Sequence, residues 1–343
     1  MATLKDIAKE TGYTTTTVSA ALRGLGCVKP QTAATIREAA SRLGYRVNLS
    51  AKTLRSGRSG LVSLFVPNLD VPFYAHLARS LCEEARSYDF EILVQQPRIH
   101  PSRERDLTQY LSSTMADGFL FSYTNLDVAE LLRACNPRPV VMFEDWTAQR
   151  LVDTVNTPSI TGTEAAIRHL AQQGCTRIGV IGLDDKTLDA SSQHRPLSAS
   201  ARAARQQAAL DTLHHLGLPI SNHPSQFVDW SFEGGIEAVR RMQECPFDGA
   251  LCMSDLMAAG VLQACTARGI AIPDDLKVVG FDGTPESMRT NPPLSTIAVD
   301  FTGMARAALT LMEQRIAHPN DQVLPQTVTA GFTLEVRESS ACR

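Results

Sequence analysis

The stretch from Thr3 to Arg55 constrains the chain most, because its apolar residues and glycines permit few arrangements. Leu4, Ile7 and Ala8 recur at i, i+3 and i+4, on one face of a first helix. Thr3 stands at the N-cap position of that helix, and Gly12 falls where it must end and the chain must bend. A second helix starts at Thr14 or Thr15, with Val18, Ala21 and Leu22 inward, and stops at Gly24 and Gly26. Pro30 suits the first turn of a third helix, with Ile36, Ala39, Ala40 and Leu43 facing in. Two short helices joined by a tight turn and closed by a third form a helix-turn-helix, whose second helix turns its outer face to the major groove. The outward positions here are Thr15, Thr16, Ser19 and Ala20.

The charge distribution agrees with that arrangement. Residues 1–58 carry ten Lys or Arg and three acids, a balance of +7. The whole chain is −3, so residues 59–343 are −10. A small basic module on an acidic body is the footprint of a nucleic-acid binder with a separate regulatory part. The alternative is a solvated basic face on an ordinary helical domain.

The run LKDIAKETGYTTTTVSAALRG, followed by LGYRVNLSAKTL, resembles the DNA-binding headpiece and hinge of the lactose-repressor (LacI/GalR) family of bacterial transcription regulators. The resemblance continues through VPNLDVPFYAHLARSLCEEA, TGTEAAIRHLAQQGCTRIGVIG, DGALCMSDLMAAGVLQACTARGIAIPDDLKVVGFDG and NPPLSTIAVDF, and spans residues 3–337. It implies a repressor of carbohydrate-utilisation genes whose affinity for double-stranded operator DNA is set by a small-molecule effector, most readily a sugar. It also implies a homodimer, since the leucine-heptad tail by which the lactose repressor makes tetramers has no counterpart here.

Asn48 to Arg55 is the hinge segment. An eight-residue helix is marginal alone in water and would fold only against its twin and a widened minor groove. In the family a hinge leucine wedges between base pairs. Leu54 holds the matching position, with Ala51 one turn earlier, and Val47 replaces the Pro that the family usually has before the Asn. Arg23, Asn48 and Arg55 complete the candidate DNA contacts. Thr14, Thr17 and Ser19 read as phosphate contacts, whereas Thr15, Thr16 and Ala20 take recognition positions where the family often has Tyr, Gln or Arg. Short side chains can touch thymine methyls but offer no bidentate guanine contact.

From Leu61 onward, apolar strands alternate with helices. Strands are expected at 61–66, 90–95, 118–122 and 139–144, then at 177–182, 225–229, 249–253, 277–281 and 331–337. Uniformly apolar strands separated by helices mean parallel sheets covered on both faces, here two doubly wound α/β subdomains of periplasmic-binding-protein type. The expected domains are a headpiece at 1–47, hinge and linker at 48–60, a first core subdomain at 61–157 and 299–325, and a second at 158–298 and 326–343. The polar stretch 183–199 reads as a loop at the cleft edge.

Ligands in such sheets bind beyond the carboxyl ends of the strands. Glu144, Ser254 and Asp282 stand at strand ends, Trp230 follows the strand expected at 225, Phe73 and Tyr74 follow the first strand, and Arg202 begins a helix. A flat aromatic with acids that accept hydroxyl hydrogen bonds suits a carbohydrate. The resemblance assigns effector contact to Arg202, Trp230, Ser254, Asp282 and Glu144. Three departures argue against the family's best-known galactosides: Ser254 replaces an Asn, Arg205-Gln206 replaces a Gly-aromatic pair, and Val299 replaces a Gln.

Other classes fit less well. The amino terminus, MATLKDIAKE, is not a signal peptide, and no run of about 18 apolar residues suggests a membrane span. That argues against a periplasmic solute-binding protein and places the chain in the cytoplasm. The eight cysteines show no C-x-x-C pair and no clustering with histidine, so reduced thiols are expected, with no metal and no cofactor. G-x-G-x-x-G after the first strand, G-x-x-x-x-G-K-[ST] and G-x-S-x-G are all missing, and no nucleophile–base pair is visible, so no catalytic residue is assigned. If the second helix reads bases as assigned, Thr16→Ala relaxes base preference; unchanged operator selection by the mutant in a randomised-site binding assay would contradict the assignment.

Overall fold

The computed structural model describes residues 2–22, 27–45, 58–97, 101–147, 150–183, 200–319, 321 and 323–341. The chain divides at residue 59 into two compact units.

Among its described residues the first unit holds three helices: α1 (Leu4–Thr11), α2 (Thr15–Leu22) and α3 (Pro30–Arg42). Thr3 caps α1 as expected. Its N–H donates to Asp6 Oδ2 at 2.7 Å, and the Asp6 N–H returns to Thr3 Oγ1 at 3.4 Å. These bonds satisfy donors that the first helical turn leaves unpaired. Gly12 ends α1 with φ of 72°, a left-handed conformation that costs a glycine little. Ile7, Val18, Ala21, Ile36, Ala39 and Ala40 meet in one core. The hinge residues 46–57 lie outside the described residues, as does Arg23.

The second unit holds two sheets. The first has the order β10-β5-β4-β3-β1-β2 and is parallel throughout, with β1 (Leu61–Phe65), β2 (Glu91–Gln95), β3 (Gly118–Phe121), β4 (Val140–Phe143), β5 (Asp153–Asn156) and β10 (Thr327–Thr329). The second has the order β11-β9-β8-β7-β6, with β6 (Ile178–Ile181), β7 (Gly249–Cys252), β8 (Lys277–Asp282), β9 (Ser295–Val299) and β11 (Phe332–Glu335). Among the described strands only β11 runs antiparallel, against β9. Helices α4 (Pro72–Ala85), α5 (Pro101–Thr114), α6 (Val128–Cys135) and α11 (Phe301–Ala317) belong to the first lobe. Helices α7 (Ser159–Gln172), α8 (Ala201–His215), α9 (Phe232–Arg241) and α10 (Asp255–Ala267) belong to the second.

Both faces of the first sheet are covered. Leu64, Leu120 and Val141 pack with Leu77, Leu81, Leu309 and Met312. On the other face Phe65, Phe121 and Leu131 are buried, with the two rings stacked 4.6 Å apart. Burial of every β3 and β4 residue explains why those strands read as unbroken apolar runs.

Three details differ from the sequence reading. The strands β5 and β10 are short and polar, and periodicity does not reveal them. Because β10 pairs with β5, residues 327–329 belong to the first sheet rather than the second. The segment expected as a strand at 225–229 begins instead as a 3-10 turn, Pro224–Gln226. Its Gln226 still closes the edge of β6: the carbonyl accepts from the Gly182 and Leu183 N–H groups at 2.9 Å, and Oε1 accepts from Val180 N–H at 2.7 Å.

The chain therefore passes between the lobes after β5, after β9 and before β11. Ile36, fully buried in the first unit, offers a test of its independence. Ile36→Ala should cost that unit about 2–5 kcal/mol while the melting of the second unit, followed by calorimetry, stays in place.

Candidate functional sites: the headpiece surface and the inter-lobe cleft

On the first unit, Thr14 closes the start of α2. Its Oγ1 accepts from Thr17 N–H at 3.2 Å and lies 2.9 Å from Thr17 Oγ1. The two hydroxyls read as phosphate contacts are thus also the local cap. Thr15 and Thr16 are exposed, and Thr17 and Ser19 half-buried. Ala20 is only 8% exposed, so it is not the outward residue that spacing suggested. It lies instead in a concavity of about 350 Å³ lined also by Thr16, Thr17, Cys27 and Lys29. Ala20 shares that concavity with Cys27–Lys29, a proximity that helical periodicity cannot foresee. Arg23, Asn48, Ala51, Leu54 and Arg55 lie outside the described residues.

In the second unit the carboxyl ends of the two sheets converge. The first lobe contributes Tyr74, from the first turn of α4, and Glu144, which follows β4 with φ of 59°. Glu144 Oε2 accepts from the Trp146 indole N–H at 3.0 Å, and Oε1 accepts from the Thr157 N–H. Phe73 packs on Tyr74 and on Phe301, each with centroids 5.3 Å apart, as part of the wall behind.

The second lobe contributes Asp282, at the end of β8, and a residue that the sequence reading did not place in the site, Arg205. The Arg205 guanidinium is buried and pairs with Asp282 at 3.6 Å. Its Nη1–H donates to the Met253 carbonyl at 2.6 Å, and Nε–H to Ser159 Oγ at 3.2 Å. Its Cζ sits 3.5 Å from the centre of the Phe281 ring and 5.2 Å from that of Trp230, within cation–π range. Arg202, the arginine expected here, lies one turn earlier. It stacks 5.0 Å from Trp230 and lines a separate cavity of about 380 Å³ with Leu183, Asp229, Glu233 and Glu237.

The other expected contacts divide. Trp230 reaches the cleft, but its indole N–H donates to the Gly182 carbonyl at 2.7 Å, and two guanidinium groups already lie over its ring. Gly182 must lack a side chain, because a Cβ there would meet Trp230 Nε1 at 2.8 Å. Ser254 caps α10, accepting from Met257 N–H at 3.2 Å. Asp255 is buried behind it and accepts from Thr296 Oγ1 at 2.5 Å and Thr284 N–H at 2.9 Å.

Electrostatics follow from burial. Burial raises the Asp282 carboxyl well above the ordinary range against the opposing pull of Arg205. Burial likewise pushes Asp255 up to about 6, opposed by its hydrogen bonds to Thr296, Thr284 and Gly283. Tyr74 is raised to about 12 by burial, then by Asp282 and Glu144, so those two acids bear on it from both lobes. Among the described residues no group of three or more His, Cys, Asp or Glu could hold a metal ion.

Residues 3–48 match the family described as bacterial regulatory proteins, lacI family, and residues 167–340 match the periplasmic binding protein-like domain. The chain belongs to the lacI family of bacterial regulatory proteins. The similarity to lacI-family repressors runs nearly end to end. A curated relative, the HTH-type transcriptional repressor PurR of Haemophilus influenzae, is 26% identical over 330 residues, covering 94% of each chain. The lac repressor dimer bound to operator and the anti-inducer ONPF superposes with a TM-score of 0.78 at 21% identity, over 99% of each chain. The transcriptional regulator CelR in its cellobiose complex superposes with a TM-score of 0.69 at 24% identity, over 99% of this chain and 100% of its own.

In this lacI-family core the raised acids make stability depend on pH. Asp255 is protonated more readily folded than unfolded, so folding takes up a proton between about pH 4 and about 6. Its contribution is greatest below that window and is lost as pH rises through it. The stability of the wild type relative to Asp255→Asn should therefore fall across this window, by ~1.4 kcal/mol for each unit of pKa displacement. Denaturant titrations of both proteins at several pH values measure the difference.

Proposed function

We propose that this DNA-binding transcriptional regulator is a homodimeric cytoplasmic repressor whose operator affinity is set by a polyhydroxylated effector, a carbohydrate, bound between the two lobes. It carries out no catalysis. Thr15, Thr16 and Ser19 on α2 take the base and phosphate contacts, and Asn48, Ala51, Leu54 and Arg55 of the hinge segment supply further DNA contacts. Tyr74, Glu144 and Asp282 take the effector.

The observation that carries this reading is the pair of carboxylates on opposite walls. Glu144 comes from one lobe and Asp282 from the other, and each carboxyl group offers oxygens that accept hydrogen bonds. A ligand with hydroxyl donors on two sides satisfies both and holds the lobes together. An effector shifts an equilibrium only by binding two states unequally, and a ligand that bridges two lobes does so by construction. The sugar complex of one structural neighbour supports the class of ligand.

Operator binding by the full-length protein is measured at fixed salt against a panel of mono- and oligosaccharides and purines. Release of DNA by one sugar makes the protein an inducible repressor; tightening makes it a co-repressed one. Asp282→Asn should weaken either response at least tenfold, the effect of losing a hydrogen bond to a charged group. No DNA binding under any condition, or a response to purines alone, overturns the reading.

A further inference from the structure

The outer side of α2 is hollowed. Thr16 and Ala20 stand one helical turn apart, on the side opposite Val18 and Leu22, which pack into the core of the first unit. Thr16 is exposed and Ala20 is sunk, and both line the concavity of about 350 Å³ between α2 and the start of α3. Thr17 and the half-buried Val28 line it too. The Thr17 hydroxyl is already taken up by Thr14 Oγ1, 2.9 Å away. Lys29, exposed, carries the only charge among the described lining residues.

The described lining is thus rich in methyl groups and contains no Arg, Asn or Gln, side chains that read guanine or adenine through paired hydrogen bonds. Every base presents hydrogen-bonding atoms to the major groove, and thymine alone adds a methyl group. An amino or carbonyl group pressed against methyls would lose water without gaining a partner, at a cost in free energy. A methyl group in the same place leaves water for an apolar surface, which is favourable. The surroundings suit DNA as the source of that methyl: residues 1–58 balance to +7, and Lys29 stands beside the concavity to meet a backbone phosphate.

We propose that this concavity is a thymine-methyl pocket, with Ala20 as its floor and Thr16 as its wall, and that it makes the first unit prefer thymine at one base pair of the site it reads. The pocket rests on the DNA-contact role given to α2 above and is independent of the effector.

The test begins with sites selected from random duplexes by the full-length protein at fixed salt. Each fixed thymine is then replaced singly by deoxyuridine, which lacks only the methyl group. At one position uracil should lower affinity roughly three- to fivefold, the worth of one buried methyl group. At that same position 5-methyldeoxycytidine should bind more tightly than deoxycytidine by a similar factor. Ala20→Val fills the floor and should bind thymine and uracil sites equally. Thr16→Ser keeps the hydroxyl but removes one lining methyl, and should shrink the thymine-to-uracil ratio.

Uracil binding as tightly as thymine at every position overturns the proposal, as does a ratio that survives in Ala20→Val. Should Ala20→Val fail to fold, by circular dichroism, an unchanged ratio in Thr16→Ser overturns it instead. Selected sites with no fixed thymine also overturn it, and a fixed guanine whose preference disappears in Lys29→Gln would assign the concavity to Lys29. Failure to select any site removes the DNA-contact role of α2 together with the pocket. Selection without discrimination between thymine and uracil removes the pocket alone.

Discussion

Three passages of chain between two sheets set the terms for the whole core. Backbone groups in such passages have left the ladders and must find partners elsewhere. They find them in one another: the Asp300 N–H donates to the Gly331 carbonyl at 3.0 Å, and the Ala330 N–H to the Asn156 carbonyl at 2.8 Å. The second and third passages are thereby joined, and the third is tied to the end of β5. The strand ends that surround them are where the acids and Arg205 gather. The same constraint that closes the backbone's hydrogen bonding also fixes the position of the site.

What could be read from the sequence was what burial imposes on residue type. Strands such as β3 and β4, covered on both faces, show continuous apolar runs, and the helices between them show their 3.6-residue period. The strands β5 and β10 carry DTVN and TVT, and exist because of their neighbours rather than their own composition. The 225–229 segment has the composition of a strand but turns at Pro224 and lends Gln226 to the edge of β6 by single bonds instead of a ladder. Local pattern cannot distinguish these cases, since the deciding partner is remote in the chain: Val180 lies 46 residues from Gln226, and the β10 residues pair with β5 across more than half of the sequence.

The site divides in the same way. Glu144 and Asp282 were legible because parallel sheets offer their carboxyl ends to ligands whatever the ligand is. Arg205 was visible only as a departure from a small residue. Arg202 and Arg205 are three residues apart and share one face of α8, so spacing alone cannot say which guanidinium reaches Asp282. The deciding facts are the Met253 carbonyl and the Phe281 ring, which arrive from β7 and β8. Ala20 is the converse case, a position outward by periodicity but buried, in a concavity it shares with Cys27 and Lys29.

The chain has two tryptophans, and the structure puts one on each wall of the cleft. Trp146 donates its indole hydrogen to Glu144 in the first lobe, while Trp230 in the second lies under two arginines of its own lobe. Indole emission responds to nearby charge and to the fate of its N–H, and here no third tryptophan dilutes the signal. The protein consequently carries a pair of native optical reporters, one per lobe. Single Trp→Phe replacements would let the two sides of the cleft be watched separately in ultraviolet light, with no label attached.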